Sequence, residues 1–116
     1  MLALRAARGA LAAGAEKGMA YAEVLFLCSP LLHSEELADH EAMEAQMREQ
    51  VRKHPALPLA AGGLAYAEEH AAVVRRFGRY PHRNAALGRE SSEEERVWLA
   101  SDTLPGWAKS QAKAQL

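Results

Sequence analysis

Strand-forming residues are scarce in this chain of 116 residues. It contains five valines, one threonine and no isoleucine, and aromatic residues make up only 6%. Strands favour β-branched and aromatic side chains, whereas helices favour alanine, leucine, glutamate and arginine. Much of the 49% hydrophobic fraction is alanine. The composition therefore predicts an all-α fold whose helices pack closely through small side chains.

Apolar spacing and helix-end residues predict about five helices, arranged as an array of antiparallel hairpins. The first four are predicted over residues 2–13, 19–28, 34–53 and 64–77, and a short fifth helix follows Ser91 and Ser92. We expect a single domain over residues 1–107 and a polar tail over residues 108–116.

Five local signals set these bounds. Pro30 is predicted to end or kink the second helix, because it has no amide hydrogen to donate. Ser34 is predicted to be the N-cap of the third helix. Gly62-Gly63 is predicted to lie in a loop. Gly78 is predicted to follow the end of the fourth helix, and Ser91 and Ser92 each stand three residues before a glutamate, as in a capping box.

The apolar stripes of these helices predict which side chains are buried. The predicted core residues are Leu25, Phe26, Leu37, Met47, Leu64, Val74 and Phe77.

Charge and cysteine content exclude several classes of partner. The formal net charge is −1 and the isoelectric point is about 6.5, so nothing global indicates binding to nucleic acid or to an anionic membrane surface. Cys28 is the only cysteine, which fits a reducing compartment. The most apolar stretch, Val24–Leu32, is too short to span a bilayer.

The N-terminal segment bears on localisation. Met1–Ala15 carries two arginines and no acid, as organellar transit peptides do, but it contains no serine, in which those peptides are rich. We therefore expect an ordinary first helix and a cytoplasmic protein, with organellar import as the less favoured alternative. The chain has no P-loop, dinucleotide fingerprint or zinc-ligand spacing, and no cofactor is predicted.

An arginine cluster is the strongest candidate site. Five of the ten arginines lie between Arg75 and Arg89, a segment without lysine or acid. A guanidinium can bind a carboxylate or phosphate through two parallel hydrogen bonds. The predicted anion-binding residues are Arg79, His82, Arg83, Asn84 and His33, near the start of the third helix. Supporting roles are predicted for Asp39, His70, Arg76 and Arg89. The alternative is structural ion pairing with the acids that follow, which are Glu90, Glu93, Glu94 and Glu95.

A second group of polar residues stands at the start of the third helix. His33, Glu36, Asp39 and His40 are permissible metal ligands, but their spacing differs from the Glu-x-x-His pattern of helical metal sites. A polar helix cap is the favoured interpretation, and no metal is predicted.

Two strings carry a family resemblance. Leu31–His40 is LLHSEELADH, and Arg76–Asn84 is RFGRYPHRN, continued by LGRES at Leu87–Ser91. The chain resembles the C-terminal half of the domain-of-unknown-function family numbered 924. The resemblance implies a helical fold similar to tetratricopeptide repeats, but it supplies no catalytic or binding residues. Members are usually longer and begin with a segment that this chain lacks, and His40 stands where members commonly have glutamine.

Two classes of function remain open. The favoured one is a helical binding module that presents a surface to another protein. The alternative is an enzyme or sensor for a small anionic ligand, in which His33 or His82 moves a proton, or else a fragment without independent function. If the N-terminal half of the family domain is missing, we expect apolar surface on the first two helices and self-association of the chain.

Overall fold

The computed structural model describes residues 2–113, and within that range it contains helices and no strand. The α-helices are α1 (Leu2–Ala12), α2 (Tyr21–Leu32), α3 (Leu37–Lys53), α4 (Pro58–Phe77), α5 (Glu93–Leu99) and α6 (Gly106–Lys113). A 3₁₀ turn, Pro81–Arg83, lies between α4 and α5. The prediction of an all-α helical array is confirmed.

The chain divides into two compact units, residues 1–78 and residues 79–116. The first unit contains α1–α4, and the second contains the 3₁₀ turn, α5 and α6. The single domain over residues 1–107 stays a prediction. Most of helix α6 lies in the segment predicted to be a polar tail, whose last residues, 114–116, are outside the described range.

The core of the first unit lies where α3 packs against both α2 and α4, and α1 packs against α2 and adds Ala7 to this core. Its largest buried apolar side chains are Val24, Leu31, Met43 and Met47, each no more than 1% exposed. Cys28 is buried among them, and burial raises the pKa of its thiol to about 11, so this thiol stays protonated near neutral pH.

The predicted core is only partly confirmed. Met47 and Val74 are buried, while Leu25 and Leu64 pack at the edge of the core and Phe77 is half-buried. The prediction is wrong for Leu37, which is 37% exposed, and for Phe26, which is 83% exposed. Phe26 lies on the side of α2 that faces away from α3 and α4.

Helix α2 continues through Pro30, where the sequence predicts an end or a kink, so the helix does not end there. Proline cannot donate to the carbonyl four residues earlier, which is that of Phe26. The Ser29 hydroxyl donates to the Phe26 oxygen at 2.9 Å instead. A neighbouring side chain therefore replaces the missing backbone bond, and the helix runs on to Leu32.

Helix α4 begins at Pro58, so the prediction that Gly62-Gly63 lies in a loop is wrong. Proline suits the first turn of a helix, where an amide hydrogen has no intrahelical acceptor. Gly63 is needed because a Cβ there would overlap the hydroxyl of Tyr21. That hydroxyl donates to the Leu59 oxygen at 2.9 Å and so ties α2 to the first turn of α4.

The other helix ends show one error and two confirmed predictions. Helix α3 begins at Leu37, so Ser34 is not its N-cap, although the Ser34 hydroxyl accepts the Glu36 amide hydrogen bond at 3.0 Å. Gly78 ends α4 in a left-handed conformation, with φ of 73°. Ser92 and Glu95 form the predicted capping box of α5.

The second unit is built around aromatic rings. Leu99, Leu104 and Ala108 form its apolar core, with Trp98 and Trp107 packed against it. This packing gives α6 a buried side.

Candidate functional site

An apolar groove lies between α1 and α2 in the first unit, with a volume of about 570 Å³. One wall is formed by alanines of α1 and the other by the outer side of α2. The lining residues are Ala3, Ala6, Ala7, Met19, Ala22, Glu23, Phe26, Leu27 and Pro30. Eight of these nine side chains carry no charge and little polar surface, so the groove offers contact area for an apolar partner.

The composition of α2 explains how a groove of this kind arises. Its twelve residues include one charged side chain, Glu23. One side of the helix carries Val24, Cys28 and Leu31, which are buried in the core. The opposite side carries Phe26 and Pro30, which line the groove. A helix that is apolar on every side is normally covered on every side.

Glu23 is the only charged residue of the groove lining. Its carboxylate accepts a hydrogen bond from the Ala20 amide at 3.0 Å, at the N-terminus of α2. The Ala20 side chain has no oxygen with which to complete a capping box, so Glu23 is the side chain that caps this helix start. A negative charge is therefore fixed at one end of an apolar surface.

A partly buried polar cluster holds α1 against the start of α3. Arg8 donates to both carboxylate oxygens of Asp39, at 2.8 and 2.5 Å, and the Ser34 hydroxyl donates to the same carboxylate at 2.5 Å. Arg8 and, to a smaller extent, Ser34 lower the pKa of Asp39. Glu36 adds a further ion pair to Arg8 at 3.2 Å. This cluster fixes the α1 wall of the groove in place, and it uses Asp39 and Glu36 in a polar cap of the kind that the sequence favours.

Two histidines of the first unit are buried. His40 bonds through Nε2 to the Ser34 oxygen at 2.6 Å, and His70 bonds through Nδ1 to the Tyr66 oxygen at 2.8 Å. Burial lowers the pKa of both, and the nearby imidazoles of His40 and His33 lower that of His70 further. His33 itself is exposed at the end of α2. Within residues 2–113, no three histidine, cysteine, aspartate or glutamate side chains are placed to share a metal ion.

The arginine cluster of the second unit makes internal ion pairs. Arg79 donates to both oxygens of the Glu95 carboxylate, at 2.9 and 2.8 Å, and to the Glu90 backbone oxygen at 2.7 Å. Glu95 is 3% exposed, and hydrogen bonding from Arg79 lowers its pKa to about 2. The pairing of Arg79 with an acid of the following segment is the structural alternative that the sequence leaves open.

The remaining residues of this cluster also have internal contacts. Asn84 is buried and accepts from Arg89 at 3.0 Å, and Arg89 donates as well to the Tyr80 backbone oxygen at 3.1 Å. The His82 ring is buried with its centroid 5.2 Å from that of Trp107. The Arg83 guanidinium lies 4.7 Å from the centre of the Tyr80 ring.

The predicted anion-site residues belong to both units. Arg79, His82, Arg83, Asn84 and Arg89 lie in the second, and His33, Asp39, His70 and Arg76 lie in the first. Arg76 is exposed and stacks on its neighbour Phe77, 4.6 Å from the ring centre. The combined site stays a prediction.

Sequence patterns did not reveal the groove residues or the partners Arg8 and Glu44. Arg8 and Asp39 are separated by 31 residues, as are Glu44 and Arg75. No local spacing indicates a pair so distant. The signal available for the groove was the lack of charge on α2.

Comparison with known proteins gives a family. Residues 1–103 match the family model described as "Bacterial protein of unknown function (DUF924)". The chain belongs to this family. The match to the DUF924 model includes both strings on which the resemblance rests, and it extends over α1–α5. No curated protein and no solved structure matches the chain.

Membership of DUF924 gives no ligand or reaction, so function has to be argued from the geometry of this chain. In the described part of this DUF924 chain, no helix is both long enough and apolar enough to cross a membrane.

Proposed function

We propose that this chain is a helical binding module and that the groove between α1 and α2 is its binding surface. The observation that carries the proposal is Phe26, which is 83% exposed in the middle of an apolar groove. Leaving a phenylalanine in water forfeits about 2 kcal/mol relative to burying it. A contiguous exposed apolar surface is typical of a site where another protein binds.

The shape of the groove favours the apolar side of a helix as its occupant. The α2 wall extends from Ala22 to Pro30, which is about 12 Å at the helical rise. This length matches two turns of a docked helix. The α1 wall consists of alanines, and small side chains let a second helix approach closely. The arrangement corresponds to the helix-in-groove mode of recognition.

The groove can be tested with Nile red, a neutral apolar dye whose fluorescence rises in apolar surroundings. We expect saturable binding to the wild-type chain and a loss of affinity of at least tenfold in Ala6→Glu, which places a charge on the α1 wall. Leu59→Ser is the matched control, because Leu59 is 70% exposed and lies outside the groove. Equal dye binding by all three proteins, or none by the wild type, would contradict the proposal.

A second candidate function is anion binding by Arg79, His82, Arg83, Asn84 and His33. The stacking of Arg83 on Tyr80 beside the buried His82 supports it, because a guanidinium held against a ring is preoriented for a planar anion. The enzyme or sensor alternative rests on this same site. The ion pair between Arg79 and Glu95 favours a structural role for Arg79.

Two substitutions separate these roles. Arg79→Ala should lower the free energy of unfolding by about 2–4 kcal/mol, because the buried Glu95 carboxylate loses its partner. Arg83→Ala should change it by less than about 1 kcal/mol. If the anion site exists, Arg83→Ala also weakens phosphate binding in a calorimetric titration of the folded protein. Absence of heat on titrating the wild type with phosphate would remove anion binding from consideration.

We also propose three finer assignments that rest on the family strings, on the helix pattern and on composition. The chain corresponds to the C-terminal half of the family domain, its hairpins resemble tetratricopeptide repeats, and its location is cytoplasmic. Both strings, Leu31–His40 and Arg76–Asn84, support the first assignment.

A further inference from the structure

We propose that the occupant of the α1–α2 groove is a second copy of this chain, paired about a two-fold axis. The inference rests on the proposed function, and it names the partner. In a two-fold interface the same surface is used by both copies, so a contact from one residue to another occurs twice. The surface must therefore carry both a projection and the recess that receives it.

The groove surface carries both. The projections are Phe26 and, at the N-terminus of α1, Leu2, which are 83% and 84% exposed. The recess is the alanine wall of α1, where Ala6 is exposed. Phe26 of each copy, placed over the alanine wall of the other, would bury both exposed rings at once. Aromatic anchors that fill a recess at the centre of an interface contribute most of its affinity.

The outer side of α1 permits the close approach that this pairing needs. Leu2, Ala6 and Gly9 follow one another at intervals of four and three residues, so they share one side of the helix. A Cβ built at Gly9 would have no neighbour within 4 Å, which leaves open space beside α1. A second helix can therefore approach the α1 backbone closely at Gly9.

Charge favours a second copy over an unrelated apolar helix. Glu23 is the single charge of the groove lining. The side of α1 away from the core carries the exposed base Arg5 next to Ala6, and the other base of this helix, Arg8, is bound to Asp39. Each copy therefore offers one acid in the groove and one base on its edge. Two-fold pairing brings Arg5 of one copy to Glu23 of the other, twice, with no like charge in the lining to oppose it.

The experiment is a charge exchange, with the dimer dissociation constant of the whole chain measured by sedimentation equilibrium. We expect the wild type to form dimers as concentration rises. Arg5→Glu and Glu23→Arg should each raise the dissociation constant at least tenfold, because like charges then face each other. The double variant Arg5→Glu with Glu23→Arg should return to within about threefold of the wild type, since the pair is restored in reverse.

Two controls separate this effect from others. Lys109→Glu makes the same change of net charge as Arg5→Glu, but at an exposed position of α6. It should leave the dissociation constant unchanged. Glu23→Ala removes the side-chain oxygen that caps α2, so a thermal melt of this variant measures the cost of the lost cap. Restored association in the double variant cannot come from the cap, because that variant lacks it too.

The outcomes distinguish the inference from the proposed function. A chain that stays monomeric at all concentrations, or a dimer whose dissociation constant the charge exchange does not restore, overturns pairing through this groove. If that monomer still binds Nile red in a manner that Ala6→Glu abolishes, the groove is a binding surface for a different partner. If neither association nor dye binding occurs, both proposals fail.

Discussion

The outer side of the α1–α2 pair and the α3–α4 pair differ in how many charged residues they carry. Helix α3 carries seven charged residues among seventeen, whereas α2 carries one among twelve. Where α3 buries an acid, it supplies partners: Glu44 is 3% exposed and is paired with Arg75 at 2.6 Å and with Arg48 at 3.5 Å. The α1–α2 pair instead leaves Phe26 in solvent.

The difference shows what each region is built to contact. Charged residues on the outer sides of α3 suit water, and its buried acid is neutralised by cations of this chain. The outer side of α2 carries one charge, Glu23, and among the described residues no neighbouring element covers its Phe26. A surface of this composition is suited to burial against a partner.

We call the packed α3–α4 pair, with the side of α2 that faces it, the closed region, and the outer side of the α1–α2 pair the open region. The largest expected effect is in the closed region. Met47→Ala should lower the free energy of unfolding by about 2–5 kcal/mol, because the side chain is completely buried and its removal leaves a cavity. Denaturant melts would measure the loss. Leu59→Ala, at a position 70% exposed, is the control and should change stability by less than about 0.5 kcal/mol. Equal losses in the two variants would mean that the core is assigned to the wrong residues.

An arginine substitution tests whether the closed region depends on its ion pairs. Arg75→Ala should lower the midpoint of chemical unfolding clearly, because the buried Glu44 carboxylate loses its nearer partner. Arg52→Ala is the matched control, since Arg52 pairs with the exposed Glu49 and surface pairs contribute about 0–1 kcal/mol. The account is contradicted here if both variants are as stable as the wild type.

Acid should weaken the closed region through its two buried histidines. Burial lowers the folded-state pKa of His40 and His70 below the unfolded value of about 6.5. The unfolded chain then binds more protons, so stability is present in full above about pH 6.5 and is lost as the pH falls towards the folded-state pKa values. The charged groups near them are Asp39, Glu44 and Arg75 for His40, and Glu69 and His33 for His70.

Denaturant melts at pH 7.5 and 5.5 check this prediction. The wild type should be less stable at pH 5.5, and His70→Gln should show a smaller loss between the two values. A wild-type stability that is level over this range would contradict the assignment of both imidazoles as buried neutral groups.

The smallest expected effect on stability is in the open region. In dilute solution Phe26→Ser should change the free energy of unfolding by less than about 0.5 kcal/mol, since the ring contributes little to the core of its own chain. Val24→Ser, two residues earlier on the buried side of α2, should cost several times more. A large loss in dilute Phe26→Ser would show that the ring already packs within one copy.

Local signals predicted the parts of the fold that local chemistry controls. The capping box of Ser92 and Glu95 and the left-handed Gly78 are short-range features, and both were predictable. The end of α2 was not, because the Ser29 hydroxyl compensates for Pro30. Within α4, Gly63 lies against the hydroxyl of Tyr21, a residue more than forty positions away in sequence. No local pattern near Gly63 predicts that contact.

The candidate site was predictable only in outline. The sequence predicts exposed apolar surface on the first two helices if the N-terminal half of the family domain is missing, and Leu2 and Phe26 are exposed there. It assigned Phe26 itself to the core, because an apolar residue at helical spacing has the same signature whether its own chain or a partner covers it. The arginine cluster showed a concentration of cations, but not which of them Glu95 neutralises.

Hydrogen exchange at two protein concentrations, read by mass spectrometry, tests the central claim most directly. Binding that covers the open region protects the amides of the helices that it contacts. We predict that raising the concentration through the dimer dissociation constant slows exchange in α1 and α2 and leaves α3 and α4 unchanged. The higher concentration should reach the millimolar range. If exchange throughout α1 and α2 is then identical at both concentrations, the assignment of this groove as the surface where two copies bind is contradicted.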